Sequence, residues 1–225
     1  MTLHLLVEGP SERAFLEPWL KRLLRSVAVK VHPHQGKGSL PANLTSPPPP
    51  KQRGLLDQLP AKLRGFANAG SPPPGVLVLI DADDDDCIDL AACIRRAADA
   101  VAPDLPVVVC IAVEETEAFY LGDLAALERA YPNADMEMAR AYAPDSVCGT
   151  WELFGEVIGD GGGNKVLWAE RMGESLTTSA ARSRSPSFRA LVRGLKHLAK
   201  RRTEAPKAQR RYRHSPKPKD PTRRR

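Results

Sequence analysis

A chain of 225 residues with 42% hydrophobic side chains can build one packed domain of ordinary size, and aromatics at only 5% leave the core mainly aliphatic. No apolar run approaches the roughly 18–20 residues that span a bilayer, and the N-terminus lacks the basic-then-apolar layout of a signal peptide, so a cytoplasmic protein with no membrane segment is expected. The net charge of +6 conceals an asymmetry: residues 182–225 hold 17 Lys and Arg against Glu204 and Asp220, leaving 16 basic against 25 acidic residues elsewhere.

Residues 3–8 read as a buried strand, followed by a tight Gly9-Pro10-Ser11 turn with Ser11 as a helix N-cap. Phe15, Leu16, Trp19, Leu20, Leu23 and Leu24 recur at helical spacing, with a kink expected at Pro18. A short strand over 27–31 gives way to a Gly-, Pro- and Lys-rich surface excursion over 32–54, whose prolines at 47–50 exclude a central strand. Leu55, Leu56, Leu59, Leu63 and Phe66 then mark a second helix. A proline break at 71–75 precedes the strongest strand, 76–80.

After an acidic loop, 88–101 has the composition of a helix and 107–113 is an unbroken apolar run, as in a strand covered on both faces. Repeated strand–helix–strand units predict an α/β fold with a mainly parallel sheet flanked by helices. Helices are expected over 116–131, 137–142, 166–172 and 187–201, with a glycine-rich break at 159–163. The domain therefore occupies 1–200, with its core at about 1–125 and a helical extension at about 126–200. Residues 203–225, with many prolines and cations and almost no aliphatics, are expected to be a disordered basic tail.

Cys87, Cys93, Cys110 and Cys148 form no CxxC pair and do not combine with histidines at zinc-ligand spacing, so reduced, mostly buried thiols are expected. The informative chemistry is acidic. Glu8 ends the first strand, and Asp81 and Asp83 leave the third. In a parallel sheet the carboxyl ends share one edge, where open sheets of this class bind ligands. Converging carboxylates repel unless a cation lies between them, and hard oxygen donors suit Mg²⁺ or Mn²⁺. Read singly, each motif is also an ordinary turn or a solvated loop. Asp85 and Asp86 extend the acidic run, and Glu115 and Glu117 follow the fourth strand toward the same edge, where they equally suit a helix first turn. Lys165, after the glycines, suits either an electrostatic partner for a phosphate or an ordinary solvated lysine.

The Val7-Glu8-Gly9-x-x-Glu12 strand end, paired with the later Asp81-x-Asp83, resembles the Toprim domain of primases, topoisomerases and nucleases of the OLD type. Glu115-Thr116-Glu117-Ala118-Phe119-Tyr120-Leu121, Asn164-Lys165 and Ser185-Pro186-Ser187-Phe188-Arg189 extend the resemblance to an uncharacterised prokaryotic group of small stand-alone Toprim-like proteins, often encoded beside ATPases in restriction or phage-defence loci. The resemblance covers roughly 3–200. It implies a Toprim-like sheet, with Glu8 as general acid/base or metal ligand, Asp81 and Asp83 as ligands, and Glu12 as a ligand of a second metal. The implied activity is divalent-metal-dependent nuclease chemistry on DNA or RNA, assisted by a partner ATPase. No Walker A motif is present, so ATP dependence would come from that partner, and no tyrosine stands in a topoisomerase-nucleophile context. The basic tail, including Arg201, Arg202, Arg210, Arg211 and Arg213, suits nucleic acid through counterion release. The alternative is a non-catalytic binding module for nucleic acid or protein; hydrolysis of a small nucleotide ester ranks last.

Overall fold

The apolar runs expected as strands pair side by side. A computed structural model describes residues 2–146, 149–161 and 163–204. In it β1 (Leu3–Val7), β2 (Val29–Pro33), β3 (Gly75–Asp81) and β4 (Val107–Ala112) form a parallel sheet in the order β2-β1-β3-β4. The α/β class and the parallel sheet flanked by helices are as expected. No helix among the described residues is long and apolar enough to cross a membrane.

Alternation along the strands divides the core into two layers. Leu3, Leu5, Val7, Leu77 and Leu79 face α1 (Pro10–Leu23), α8 (Lys165–Ser175) and α9 (Pro186–Glu204), meeting Phe15, Trp19, Trp168 and Leu195. Leu6, Val76, Val78 and Ile80 face α2 (Leu55–Ala67) and α3 (Cys87–Val101), packing on Leu59, Leu63 and Ile94. The chain passes from β1 to β2 through α1, then back across to β3 through α2 on the opposite face. The order therefore reverses between β1 and β3, which makes the crevice at their carboxyl ends the expected ligand position.

Several boundaries differ from the sequence reading. Helix α1 starts at Pro10 with Gly9, not Ser11, at the N-cap, because a proline at the first helical position needs no amide donor. It continues through Pro18 as one element, where α8 lies close against it: a Cβ on Gly173 would sit 2.3 Å from the Phe15 carbonyl oxygen and 2.9 Å from Pro18 Cγ. Strand β2 lies two residues later than expected.

The helix expected over 116–131 is two, α4 (Glu117–Leu121) and α5 (Leu124–Ala130), divided where Gly122 passes Ser185 too closely for a side chain and Asp123 caps α5. Helix α6 (Met136–Ala141) is as expected, but α7 (Thr150–Ile158) was not; Gly149 and Gly159, at φ +84° and +71°, delimit it. The thiols also differ: Cys110 is buried, whereas Cys87 at the start of α3 is half-buried and Cys93 on its outer face is exposed, all three being free. Cys148 lies outside the described residues.

Helix α9 runs antiparallel to the strands. At its start the Ser185 hydroxyl accepts from the Phe188 N–H (3.0 Å), and Asp145 accepts from Ser185 Oγ (2.9 Å) and the Ser187 N–H (2.7 Å). Asp145 is tied to the carboxyl edge through Tyr142, whose hydroxyl donates to Glu114 (3.2 Å) just past β4. Midway, Gly194 lets the helix lie on the sheet, since a Cβ there would be 2.8 Å from Val108 Cγ1. Its far end shares a groove with Leu24 and Val27, ahead of β2, through Lys196 and Lys200. The helix reaches Glu204, three residues beyond the expected end. The tail expected over 203–225 otherwise lies outside the described residues, as do the side chains of Arg202, Arg210, Arg211 and Arg213; Arg201 is exposed.

Candidate active site

Glu8 and Asp81 meet across the reversal point. Register places Leu6 beside Val78, so the two residues leave adjacent strands at the same edge, and Glu8 Oε1 accepts the Asp81 backbone N–H at 2.8 Å. Glu12, one helical turn on and 6% exposed, accepts from the Gly9 N–H (2.7 Å) and from Ser11 Oγ (2.9 Å). The strand end, the glycine and the helix start thus hold two glutamates against one aspartate.

The electrostatics are those of crowded, poorly solvated anions. Burial pushes Glu8 up to about 7; the Asp81 N–H and Lys37 oppose the rise, while Asp83 and Glu12 add to it. Burial, then the charges of Glu12, Glu8, Glu117 and Asp83, push Asp81 well above the usual carboxylate range. Although Asp81 keeps some exposed surface, its Oδ1 is enclosed and receives no hydrogen bond. A buried polar atom without a partner carries its full desolvation cost, which a cation or a hydrogen-bonding group would offset.

Asp83 does not share this pocket in the simple alternating manner the Asp-x-Asp spacing suggests. Ala82 is buried, and Asp83 adopts φ +48°, which turns its carboxylate toward Lys37. Lys37 Nζ donates to the Ala82 carbonyl (2.8 Å) and pairs with Asp83 (3.1 Å) and Asp85 (2.7 Å). Burial works to lower the Lys37 ammonium, but its bonds to Asp85 and Asp83 outweigh it and raise it. Asp86 belongs to the scaffold, capping α3 by accepting the Ile88 and Asp89 N–H groups (2.8 and 2.9 Å). Lys37 was missed because it sits in a proline-rich excursion; the signal was the pair of flanking glycines, Gly36 and Gly38, both at positive φ.

Beyond β4, Glu117 is 5% exposed and pushed up to about 7 by burial and by Glu115, with Glu12 adding and Lys165 opposing. Glu115 accepts from Thr150 Oγ1 (3.2 Å) and the Trp151 N–H (2.9 Å), so it anchors the start of α7. Lys165, the first residue of α8 after its Asn164 cap, lies with Nζ 3.9 Å from the Trp151 ring centroid, a cation–π contact that holds it near Glu117. The buried Tyr120 hydroxyl, also missed, is raised by burial and by Glu117, Glu12 and Asp81, which sets it beside the same acids.

The fold therefore brings Glu8, Glu12 and Glu117 into electrostatic range of Asp81, with Lys165 beside Glu117 and Lys37, Asp83 and Asp85 on the side of Glu8. An all-carboxylate donor set and the orphaned Asp81 oxygen fit a hard divalent cation. Among the described residues no three His, Cys, Asp or Glu side chains are already gathered round one point.

In comparison with known proteins, residues 7–196 fit the family model described as Domain of unknown function (DUF4276). No curated protein and no solved structure matches the chain.

Proposed function

The chain belongs to the DUF4276 family; from its own residues and geometry we propose that it is a Toprim-like, divalent-metal-dependent nuclease that hydrolyses phosphodiesters of DNA or RNA, working with a partner ATPase in phage defence or restriction. The reading is carried by the apposition of Glu8 and Asp81 at the switch point: two carboxylates raised in pKa, one with a buried oxygen lacking any donor. Repulsion of this kind is what a cation relieves.

In this reading Glu8, Glu12, Asp81 and Asp83 hold Mg²⁺ or Mn²⁺, with Asp85, Glu115 and Glu117 as further acids of the same edge. The bound ion would supply Lewis-acid stabilisation of phosphate charge and a more acidic water. Where Glu8 serves as base rather than ligand, it accepts the proton of the attacking water as the water oxygen bonds to phosphorus, while the leaving oxygen keeps the electron pair of the broken P–O bond and takes a proton from solvent. Lys165, held over Trp151, offsets negative charge on the phosphoryl oxygens. The basic C-terminal residues, 17 Lys and Arg over 182–225, retain the substrate without regard to sequence.

The test is incubation of the purified protein with plasmid and with single-stranded DNA and RNA in Mn²⁺. Cleavage lost on Glu8→Ala and on Asp81→Ala supports the reading. Cleavage that survives both substitutions is a contaminant and overturns it, and Mn²⁺ binding without turnover on any nucleic acid points to a binding module instead.

A further inference from the structure

Strand β2 is one end of the sheet, and half of its backbone faces outward. The Leu3 N–H donates to the Ala28 carbonyl (2.9 Å) and the His34 N–H to the Val7 carbonyl (3.1 Å), so the even-numbered residues from 28 to 34 turn their backbone groups toward β1. Val29 and Val31 therefore turn their N–H and C=O groups away from it, where they meet no hydrogen-bond partner among the described residues. An open edge of this kind is a template for a further strand, and lysine and proline are the usual means of blunting it. β2 carries Lys30 and Pro33, but Pro33 removes only its own outward donor and leaves those of Val29 and Val31 in place.

Beside this edge a cavity of about 690 Å³ runs between β2 and α1. Its floor is apolar: Leu20 and Leu24 at the end of α1 are buried, and Val27, Val29 and Val31 are half-buried against the same core. Val29 and Val31 pair with Leu3 and Leu5 and share their face of the sheet, the face covered by α1. Lys30 and His32 point to the opposite face, where His32 packs on Phe66 of α2. A strand laid along β2 would thus send every second side chain into the cavity. Main-chain bonds along an open edge, with room beside it for alternate side chains, are the two requirements of recognition by strand addition.

The charge at the rim selects the occupant. Arg13 is paired with Glu17 (2.7 Å), whereas Lys21, Arg25 and Lys30 are exposed and form no ion pair among the described residues. That excess repels the basic C-terminal residues of the chain itself. It also disfavours a second copy: the two-fold register that satisfies both valines, Val29 of one copy against Val31 of another, sets Lys30 directly opposite its own equivalent, and like charges so placed destabilise a strand pair. A carboxylate opposite Lys30 removes the conflict.

We propose that the outer edge of β2 and the groove beside it dock an extended acidic segment of a partner protein, one in which apolar and acidic residues alternate. Its backbone extends the sheet at Val29 and Val31, its apolar side chains lie over Leu20 and Leu24, and its carboxylates meet Lys30 on the other face and Arg25 and Lys21 at the rim. The proposal goes beyond the nuclease reading and does not depend on it. Full-length protein is titrated onto a short fluorescent peptide that alternates glutamate and valine, followed by anisotropy at a series of salt concentrations. Saturable binding that weakens with salt is expected, about tenfold or more weaker in Arg25→Glu/Lys30→Glu. Val31→Pro deletes an outward donor without touching the ladder to β1 and should abolish binding, with circular dichroism to confirm that the variant is folded.

Peptides N-methylated at alternate amides read the same geometry on wild-type protein, whether or not Val31→Pro folds. One methylation pattern should lose binding and the complementary pattern keep it, because a strand bonded along one edge uses only every second amide. Absence of saturable binding, or equal binding of the two methylated peptides, overturns the proposal. So does equal binding of a peptide with lysine in place of glutamate, since charge would then not select the occupant. Binding of a single-stranded oligonucleotide that depends on Arg25 and Lys30, with none of the peptide, assigns the rim to nucleic acid and overturns protein docking. A dimer in sedimentation that Val31→Pro abolishes, again without peptide binding, gives the edge to a second copy and overturns it equally.

Discussion

Glu8 Oε1 stands 2.8 Å from the backbone nitrogen of Asp81, a bond between residues 73 positions apart that joins the ends of two neighbouring strands. The contact stabilises an ionised Glu8, while the burial around it penalises that same charge more heavily. The pair is therefore held together by geometry and set against itself by electrostatics, which gives the first prediction its sign.

Glu8→Gln keeps a side-chain oxygen to accept the Asp81 N–H but removes a buried charge. At pH 8 without metal the variant should melt several degrees above the wild type, since about 1 kcal/mol corresponds to roughly 2–4 °C at this chain length. Wild type should gain stability on addition of Mn²⁺ and the variant should not. Differential scanning calorimetry with and without Mn²⁺ reads both; equal gains in the two proteins would falsify a role for Glu8 in holding the ion.

Stability should also fall with rising pH over a defined window. Glu8 and Glu117 are pushed from 4.5 to about 7 on folding, so between those values the folded chain binds more protons than the unfolded one. Unfolding then releases fewer costs at low pH and more at high pH, and stability declines from about pH 4.5 to about pH 7, by something like 3 kcal/mol for each carboxylate if they titrated independently. Mn²⁺ affinity should run the opposite way, rising to about pH 7 as protons stop competing. Denaturant melts at pH 5 and pH 8, and metal titrations over the same range, test the two slopes.

Lys37→Met removes a cation that lowers Glu8 and that bridges Asp83 and Asp85. Both aspartates are more than half exposed, so the ion pairs themselves contribute at most about 1 kcal/mol, with a similar amount for the bond to the Ala82 carbonyl. The melting temperature should drop by only a few degrees. The midpoint of Mn²⁺ binding against pH should move upward, because Glu8 loses its stabilising neighbour, and a midpoint that stays in place would remove Lys37 from the site.

Gly173→Ala tests the packing that carries the site. A Cβ there would lie 2.3 Å from a backbone oxygen of α1, which cannot rotate aside, so α8 must shift bodily. A loss of about 1–3 kcal/mol is expected from overpacking alone. Since α8 begins at Lys165, the same variant should lose the Trp151 contact, visible as a change in tryptophan fluorescence.

The strands were legible because alternating or unbroken aliphatic runs leave few other ways to bury themselves, and Glu8 and Asp81 stood out because they end such runs; the order of the strands in the sheet was not, since it depends on how the helices cross over. The helical half was less so. Helix α7 is bracketed by glycines in a left-handed conformation, a signal that looks identical to a loop when read as composition. Ser185 and Asn164, prominent within the resembling motifs, turn out to cap helices. Lys37 and His34 were unreadable for a different reason: both lie at or beyond the end of β2, where proline and glycine content obscures a backbone that continues to pair with β1 through the Val7 and Glu8 carbonyls. Asp83 was expected to act beside Asp81, but its turn toward Lys37 depends on a positive φ that no spacing rule supplies.

The direction of α9 separates two jobs that one would otherwise place together. Its first turn is pinned near Glu114 through Asp145 and Tyr142, while Lys196 and Lys200 share a groove with Val27 at the opposite rim of the sheet, the side remote from the carboxylates. Under the proposed nuclease reading, a polymer held by cations at that rim would be leashed rather than aligned: kept in the neighbourhood at high local concentration, with the choice of which linkage meets Glu8 left to whatever surface lies next to Glu8 itself.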